Sequence, residues 1–188
     1  MIGRFLAKNK VEFSEILKSI ESKSTKANHE LIWAYFFIFH LNKEKSFDYE
    51  VEEGPNDLTD VYAKSKSEKF PVLKLQLTWA KEKDFSPKIV IKDLKFSTEI
   101  ILEAVKRKYE KYEKQGKADS LNEIILVIQG DLPSGWDDLV DDKKIKEEIV
   151  KYPFRGIYYI TPPGTKSSLK DRTPIMHNGF VLCFKEAF

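Results

Sequence analysis

The sequence predicts an α/β protein in which helices flank a mixed central sheet. Three observations predict this class. Strand-like segments follow one another closely between residues 47 and 79, a spacing typical of antiparallel hairpins. Beyond residue 96, helical and strand-like segments alternate, and a strand–helix–strand step favours parallel pairing because it needs a crossover. The chain has 188 residues, a length that predicts one domain with a sizeable core.

The first part of the chain is predicted to be helical. In residues 11–22, apolar side chains recur at the spacing of an amphipathic helix. We assign residues up to about 25 to an N-terminal helical extension of a single domain that spans residues 1–188. Asn28 is a candidate cap of a second helix that ends near Leu41. This helix is apolar almost all round, which is typical of a buried helix.

Three strands are expected next. Val72–Trp79 alternates apolar and polar residues, the pattern of a strand with one buried face. Phe47–Glu52 and Leu58–Ala63 are shorter strand-like segments, and the turn-forming residues of Gly54–Asp57 separate them. The close succession of these segments predicts a meander.

The later elements alternate between helix and strand. Ser97 or Thr98 is a candidate cap of a long helix that ends near Gln115. Cys183 lies in an apolar strand-like segment, where a free thiol behaves as a small core residue. The elements expected after the long helix are a strand at Asn122–Gln129, a helix at Asp138–Lys151, a strand at Arg155–Thr161, a loop at 164–174 and a strand at Phe180–Lys185.

Composition limits the classes of function. Hydrophobic residues make up 41% and charged residues 33% of the chain, which excludes collagen-like and wholly disordered classes. A single cysteine excludes an intrachain disulfide and a cysteine-based zinc cluster. The longest apolar run, Leu31–Phe39, is about half as long as a membrane-spanning helix. The first ten residues lack the pattern of a secretory signal. We therefore expect a soluble, cytoplasmic protein without a membrane partner.

Charge is distributed unevenly along the chain. Residues 64–117 contain 15 basic and 8 acidic residues, a net +7, whereas the whole chain is +2 and the remainder therefore −5. A basic segment is compatible with phosphate binding. Lys74, Arg107 and Lys111 are candidate nucleic-acid-binding residues in it, and Tyr109 and Tyr112 are candidates for base stacking. The alternative is a lysine-rich solvated face, in which glutamates alternate with lysines at helix-pair spacing.

Asp60 and Gln76 are the first candidate site residues. The alternation of their two segments predicts adjacent strands, with both side chains on the same sheet face. Carboxylate and amide oxygens are ligands that magnesium accepts in proteins, so the pair is a candidate metal site. The alternative is a pair of cross-strand polar partners on a solvated face.

Two charged residues on helices are further candidates. Lys108 falls in an apolar helical stripe with Ile101 and Val105, so it is expected to point toward the sheet and to stabilise negative charge there. The alternative is a lysine with a buried stem and a solvated ammonium group. Glu30 shares a helical face with apolar residues such as Trp33. The alternative is that Glu30 is simply an acidic residue in the first turn of its helix, where the helix dipole favours negative charge.

The order of these residues is more informative than each residue alone. A glutamate on a first helix, an aspartate on a strand, a polar pair on the next strand and a lysine on the following helix resemble the PD-(D/E)xK nuclease superfamily. The common core of that family is a helix, a three-stranded meander, a helix and a further strand. The resemblance covers roughly Asn28–Gln129 and implies a restriction-endonuclease-like core.

The resemblance assigns positions to individual residues. Asp60 in LTDVYA would match the metal-binding aspartate, with Asp57 as the second choice. Gln76 in LKLQLT would match the acid of the (D/E)xK element, with the loss of one charge. Thr78 occupies the lysine position, and Lys108 is well placed to substitute for that lysine. 

The resemblance also implies a reaction, the magnesium- or manganese-assisted hydrolysis of nucleic-acid phosphodiester bonds, with DNA favoured over RNA. Asp60, the Gln76 side-chain oxygen and the Leu77 carbonyl would bind the metal. Glu30 would hold a water, and Lys108 would orient the nucleophile or stabilise the developing charge. One alternative is a catalytically inactive binding or assembly module with the same fold, and another is an unrelated α/β protein. The sequence also leaves open whether the protein forms a homodimer.

Overall fold

The structure is a computed structural model, and it describes residues 28–56, 59–80, 94–130, 143–161, 164–167, 174–177 and 180–188. The helix predicted at 11–22, the N-terminal extension and Asp57 lie outside these ranges.

The described elements follow the predicted succession of helices and strands. They are helix α1 (Asn28–Lys45), strands β1 (Tyr49–Asn56), β2 (Thr59–Ser65) and β3 (Leu73–Trp79), helix α2 (Leu94–Lys114), a 3-10 helix (Ala118–Glu123), strand β4 (Ile124–Gln129), helix α3 (Lys143–Ile149), and strands β5 (Gly156–Thr161), β6 (Gly164–Ser167), β7 (Pro174–His177) and β8 (Phe180–Lys185).

The central sheet has six strands in the order β1-β2-β3-β4-β5-β8. The first three strands pair antiparallel, as the predicted meander requires. Strands β3, β4 and β5 pair parallel, because helical crossovers connect them, and β8 returns antiparallel to β5. The prediction of an α/β protein with a mixed sheet is therefore confirmed.

Helices cover both faces of this sheet, and each face has its own core. Helix α1 packs on one face, where the buried residues include Trp33, Phe37, Leu75, Val127 and Ile160. Helices α2 and α3 pack on the other face, where the buried residues include Ile101, Tyr112, Leu126, Ile149 and Ile157. Strands β4 and β5 are buried on both faces, the pattern expected of central parallel strands. The predicted burial of α1 is confirmed.

Several local predictions were wrong. Strand β1 continues to Asn56, through part of the predicted turn, because Asn56 still pairs with Thr59 across a ladder irregularity. Residues 164–167 were expected in a loop but pair with β7 in a separate two-stranded sheet. Cys183 is exposed, because β8 is an edge strand and α1 makes most of its sheet contacts with β1 to β4.

Within the described ranges, no helix is long and apolar enough to cross a membrane.

Candidate functional site

Asp60 and Gln76 lie opposite each other on adjacent strands. The ladder between β2 and β3 pairs Val61 with Leu75 and Tyr62 with Lys74, so the next position places Asp60 across from Gln76. The two side chains are hydrogen-bonded, with the Gln76 Nε2 donating to Asp60 Oδ2. The predicted adjacency on one sheet face is therefore confirmed.

A chain of hydrogen bonds connects this pair to helix α2. The hydroxyl of Tyr112 donates to Gln76 Oε1, while Gln76 Nε2 donates to Asp60. Gln76 is 3% and Tyr112 1% exposed. Buried polar groups require partners, and this chain supplies them from three different elements. Its effect is to fix the Gln76 amide with its nitrogen toward Asp60.

The two strands begin to separate at Asp60. The paired residues of the β2–β3 ladder run only from Ala63 to Val61 on β2. Beyond them, the N–H of Leu77 donates to Asp60 Oδ2 over 2.7 Å. The N–H and C=O of a strand residue point toward the same neighbouring strand, so the Leu77 carbonyl also lies on the β2 side. The structure thus brings together Asp60, Gln76 and Leu77.

The surroundings of the Tyr112 hydroxyl keep it protonated, so that it remains a hydrogen-bond donor to Gln76. Burial raises the pKa of the Tyr112 hydroxyl, and the negative charge of Asp60 raises it further. Tyr112 therefore stays protonated throughout the neutral range. Asp60 is only half-buried, and both of its hydrogen bonds use Oδ2. Its other carboxylate oxygen, Oδ1, makes no hydrogen bond among the described residues.

These residues carry oxygen atoms of a kind that hard divalent cations accept, but the Gln76 nitrogen, and not its oxygen, faces Asp60. Asp60 Oδ1, the second lone pair of Gln76 Oε1 and the Leu77 carbonyl are all oxygen ligands of the kind that magnesium and manganese accept. Asp60 supplies the only formal charge among these three groups, so the set would hold a cation weakly. Across the described part of the chain, no three His, Cys, Asp or Glu side chains form a metal-binding group.

Lys108 lies on the same side of the sheet, one helical turn before Tyr112. The apolar stripe of α2 is buried at Ile101, Val105 and Tyr112, and Lys108 within it is half-buried. The neighbouring Arg107 donates from Nη2 to the Trp79 carbonyl over 2.9 Å. This bond fixes the middle of α2 over the carboxyl end of β3, where the buried Thr78 lies.

Glu30 lies elsewhere. It belongs to the first turn of α1, and α1 packs on the face of the sheet opposite Asp60 and Gln76. The side chain of Glu30 is outside the described part of the chain. The structure therefore does not bring its helix onto the face that carries Asp60.

The predicted nucleic-acid-binding residues differ in their surroundings. Lys74 forms an ion pair with Glu123, which raises the pKa of Lys74 and lowers that of Glu123. Arg107 is engaged with the Trp79 carbonyl, whereas Lys111 is exposed. Tyr112 is buried and bonded to Gln76, so its predicted role in base stacking is wrong.

Sequence reasoning missed two functional candidates. Tyr112 was assigned correctly to the apolar stripe of α2, but its hydroxyl partner could not be inferred from that pattern. Gln129 is 1% exposed at the end of β4, and its Oε1 has no hydrogen-bond partner among the described residues. The available signal was a glutamine that ends an otherwise apolar strand, IILVIQ.

Compared with protein-family models, with curated proteins and with solved structures, the chain matches none of them.

Proposed function

We propose that this chain is a divalent-metal-dependent nuclease with a restriction-endonuclease-like core. The observation that carries the proposal is the meeting of Asp60, Gln76 and Leu77 where β2 and β3 separate. The element order supports it as well. A helix, an antiparallel three-stranded meander, a second helix and a parallel fourth strand follow one another in this chain, as the resemblance implies.

Each residue of the site would have a different role in the reaction. Asp60, the Gln76 amide oxygen and the Leu77 carbonyl would hold a magnesium or manganese ion, which supplies a Lewis acid for the phosphate and acidifies a bound water. Tyr112 and Gln76 hold the Asp60 carboxylate in position. Lys108 stabilises the negative charge that develops on the phosphate. Glu30 has no role in this proposal, because its helix packs on the opposite face of the sheet.

Under the same proposal, the exposed basic residues of α2 contact the phosphate backbone of the nucleic acid. Lys111 is exposed, and the lysines in the last turn of α2 carry positive charge toward solvent. Phosphate neutralisation gives affinity that does not depend on sequence and that falls with salt. DNA is the favoured polymer. Lys74 contributes little while Glu123 neutralises it.

A second candidate function is a nuclease-fold module that binds nucleic acid without cleaving it. One observation favours it specifically. Both ends of the Gln76 amide are already used inside the fold, by Asp60 and by Tyr112. Thr78 also stands where the family has its lysine. In this alternative the hydrogen-bond chain is a structural replacement for a lost metal site.

Cleavage assays test the proposal. Labelled single- and double-stranded DNA and RNA are incubated with the protein in magnesium, in manganese and in EDTA. We expect metal-dependent cleavage that Asp60→Asn abolishes while nucleic-acid binding persists. Glu50→Gln is the matched control, because Glu50 is an exposed acid on β1 that pairs with Lys66 at 2.6 Å.

Two outcomes decide between the candidates. Binding by the wild-type protein without cleavage under any of these conditions would contradict the nuclease and support the binding module. Cleavage that survives Asp60→Asn would contradict the assignment of the site.

A further inference from the structure

Strands β6 and β7 form a two-stranded ribbon that is separate from the central sheet. The ribbon consists of Gly164–Ser167 and Pro174–His177, which pair antiparallel as a sheet of their own. Among the described elements, each strand of the ribbon makes its main contacts with the other. A lone two-stranded ribbon is only marginally stable in water, so this element contributes little to the stability of the fold.

The ribbon continues the hairpin of β5 and β8 in the same register. Thr161, the last residue of β5, pairs with Phe180 at the start of β8. Gly164 lies three residues after Thr161 and pairs with His177, which lies three residues before Phe180. Both residues between β5 and β6 are prolines, which have no N–H to donate to a ladder. The two ladders therefore belong to one long hairpin.

This hairpin leaves the central sheet at the edge that carries the candidate metal site. The parallel ladders place Gln76, Leu126 and Ile157 in one row across β3, β4 and β5. Strand β5 is two strands away from β3, about 10 Å, and Thr161 lies four residues beyond Ile157, about 13 Å along the strand. Gly164 is at most about 11 Å from Thr161. The ribbon thus begins near the carboxyl ends of β3 and β5.

The composition of the ribbon suits a polyanion. Its two strands contain hydroxyl groups at Thr165 and Ser167, a cation at Lys166, and no acidic residue. The whole span 162–179 has three basic residues and one acidic residue, a net +2 that equals the net charge of the entire chain. Cationic and hydroxyl side chains are the groups that proteins use to contact the phosphates of nucleic acids.

We propose that the ribbon binds duplex DNA beside the candidate metal site. The major groove of DNA is about 12 Å wide and admits a two-stranded β-ribbon, whereas the major groove of duplex RNA is too narrow for one. The sheet edge holds a phosphate near Asp60 while the ribbon contacts the same duplex further along. The inference rests on the proposed function for the nature of the polymer, and it makes the substrate double-stranded DNA.

A variant without the ribbon tests the proposal, and the register provides a clean deletion. Residues 162–179 are replaced by the dipeptide Asn-Gly, which closes a two-residue hairpin turn between the paired Thr161 and Phe180. We expect this variant to keep its thermal stability. In EDTA, fluorescence anisotropy of a labelled DNA duplex should show a dissociation constant that is higher by roughly 10-fold or more. The loss should be smaller for duplex RNA and for single-stranded DNA of the same length.

Lys166→Gln tests the ribbon without shortening the chain. We expect the slope of log affinity against log salt concentration to fall by about one for duplex DNA, because one phosphate contact is lost. Lys69→Gln is the matched control, because Lys69 is an exposed lysine between β2 and β3, at the opposite edge of the sheet. Its replacement should leave this slope unchanged.

Three results would overturn the inference. The first is duplex affinity that is unchanged both without the ribbon and in Lys166→Gln. The second is an equal loss for Lys166→Gln and Lys69→Gln, or for duplex DNA and single strands. The third is a variant without the ribbon that differs from the wild-type protein only in its oligomeric state by sedimentation, because the ribbon would then bind a second copy of the chain.

These outcomes are distinct from those of the cleavage assay. Asp60-dependent cleavage together with duplex binding that does not need the ribbon would overturn the inference and leave the nuclease standing. Ribbon-dependent binding of duplex DNA without any cleavage would support the inference and contradict the nuclease.

Discussion

Replacing Gln76 by glutamate would place two carboxylates within hydrogen-bond distance of each other. In the wild-type protein, the Gln76 amide nitrogen donates to Asp60 Oδ2, and the Tyr112 hydroxyl donates to Gln76 Oε1. Gln76→Glu keeps the acceptor for Tyr112 but removes the donor for Asp60. Two adjacent carboxylates cannot both ionise easily, so the pair retains one proton and one of its pKa values rises.

The sign and size of the effect on stability follow from this shift. The unfolded chain loses the extra proton near pH 4.3, whereas the folded variant keeps it to a higher pH. Stability is therefore full below about pH 4 and is lost as pH rises toward the folded pKa. A rise of about 2 units in that pKa costs about 2.7 kcal/mol at neutral pH, which lowers the melting temperature by roughly 5–11 °C in a chain of this size.

Thermal unfolding of the wild-type and Gln76→Glu proteins between pH 4 and pH 8, in EDTA, measures this difference. The double variant Asp60→Asn/Gln76→Glu is the control, because it restores one amide and one carboxylate at the same positions. We expect the pH-dependent loss in the single variant and not in the double variant. A difference between wild type and Gln76→Glu that is the same at both ends of this range would refute the reasoning.

Three further predictions concern the surroundings of the site. Tyr112→Phe should lower the free energy of unfolding in urea at neutral pH by about 1–3 kcal/mol, because it leaves the buried Gln76 Oε1 without a donor. Burial raises the pKa of Tyr112 in the folded protein, so the tyrosine of the unfolded chain ionises first and wild-type stability should fall above pH 10. This fall should be shallower in the variant. Glu123→Gln should strengthen oligonucleotide binding and steepen its salt dependence by about one counterion, because it releases Lys74 from its ion pair. Unchanged affinity would show that Lys74 is not part of the nucleic-acid interface. Gly130→Ala should cost about 1–3 kcal/mol, because the added Cβ would clash with the Tyr159 hydroxyl oxygen. Tyr159→Phe should recover part of that loss, and equal losses in both backgrounds would contradict the clash.

Local patterning predicted the sheet better than the connections between its strands. The alternation in Val72–Trp79 located β3 to within one residue. The prediction of a single buried face was wrong, because α2 covers the face that carries Gln76 and Thr78 and buries both side chains. The turn residues of Gly54–Asp57 gave the wrong end of β1, because pairing of Asn56 with Thr59 overrides local turn preference. Cys183 was misplaced for a similar reason, since exposure on an edge strand depends on which helix covers it.

The candidate site was predictable only in part. The periods of two strands were enough to place Asp60 and Gln76 on one face. The bond from Tyr112 joins residues 36 positions apart, and it depends on how α2 lies over β3, which no local pattern encodes. The side-chain carbonyl of Gln129, which has no hydrogen-bond partner among the described residues, is equally invisible in sequence, because satisfaction of a buried polar group is a property of its three-dimensional neighbours.

The central claim is that the oxygen atoms around Asp60 hold a divalent cation. Titration calorimetry with manganese, on the wild-type, Asp60→Asn and Gln76→Glu proteins at pH 7, measures this directly. We predict weak binding of manganese to the wild-type protein, no binding to Asp60→Asn, and tighter binding to Gln76→Glu, which adds a second carboxylate. Absence of binding to the wild-type protein, or equal binding to wild type and Asp60→Asn, would contradict the claim.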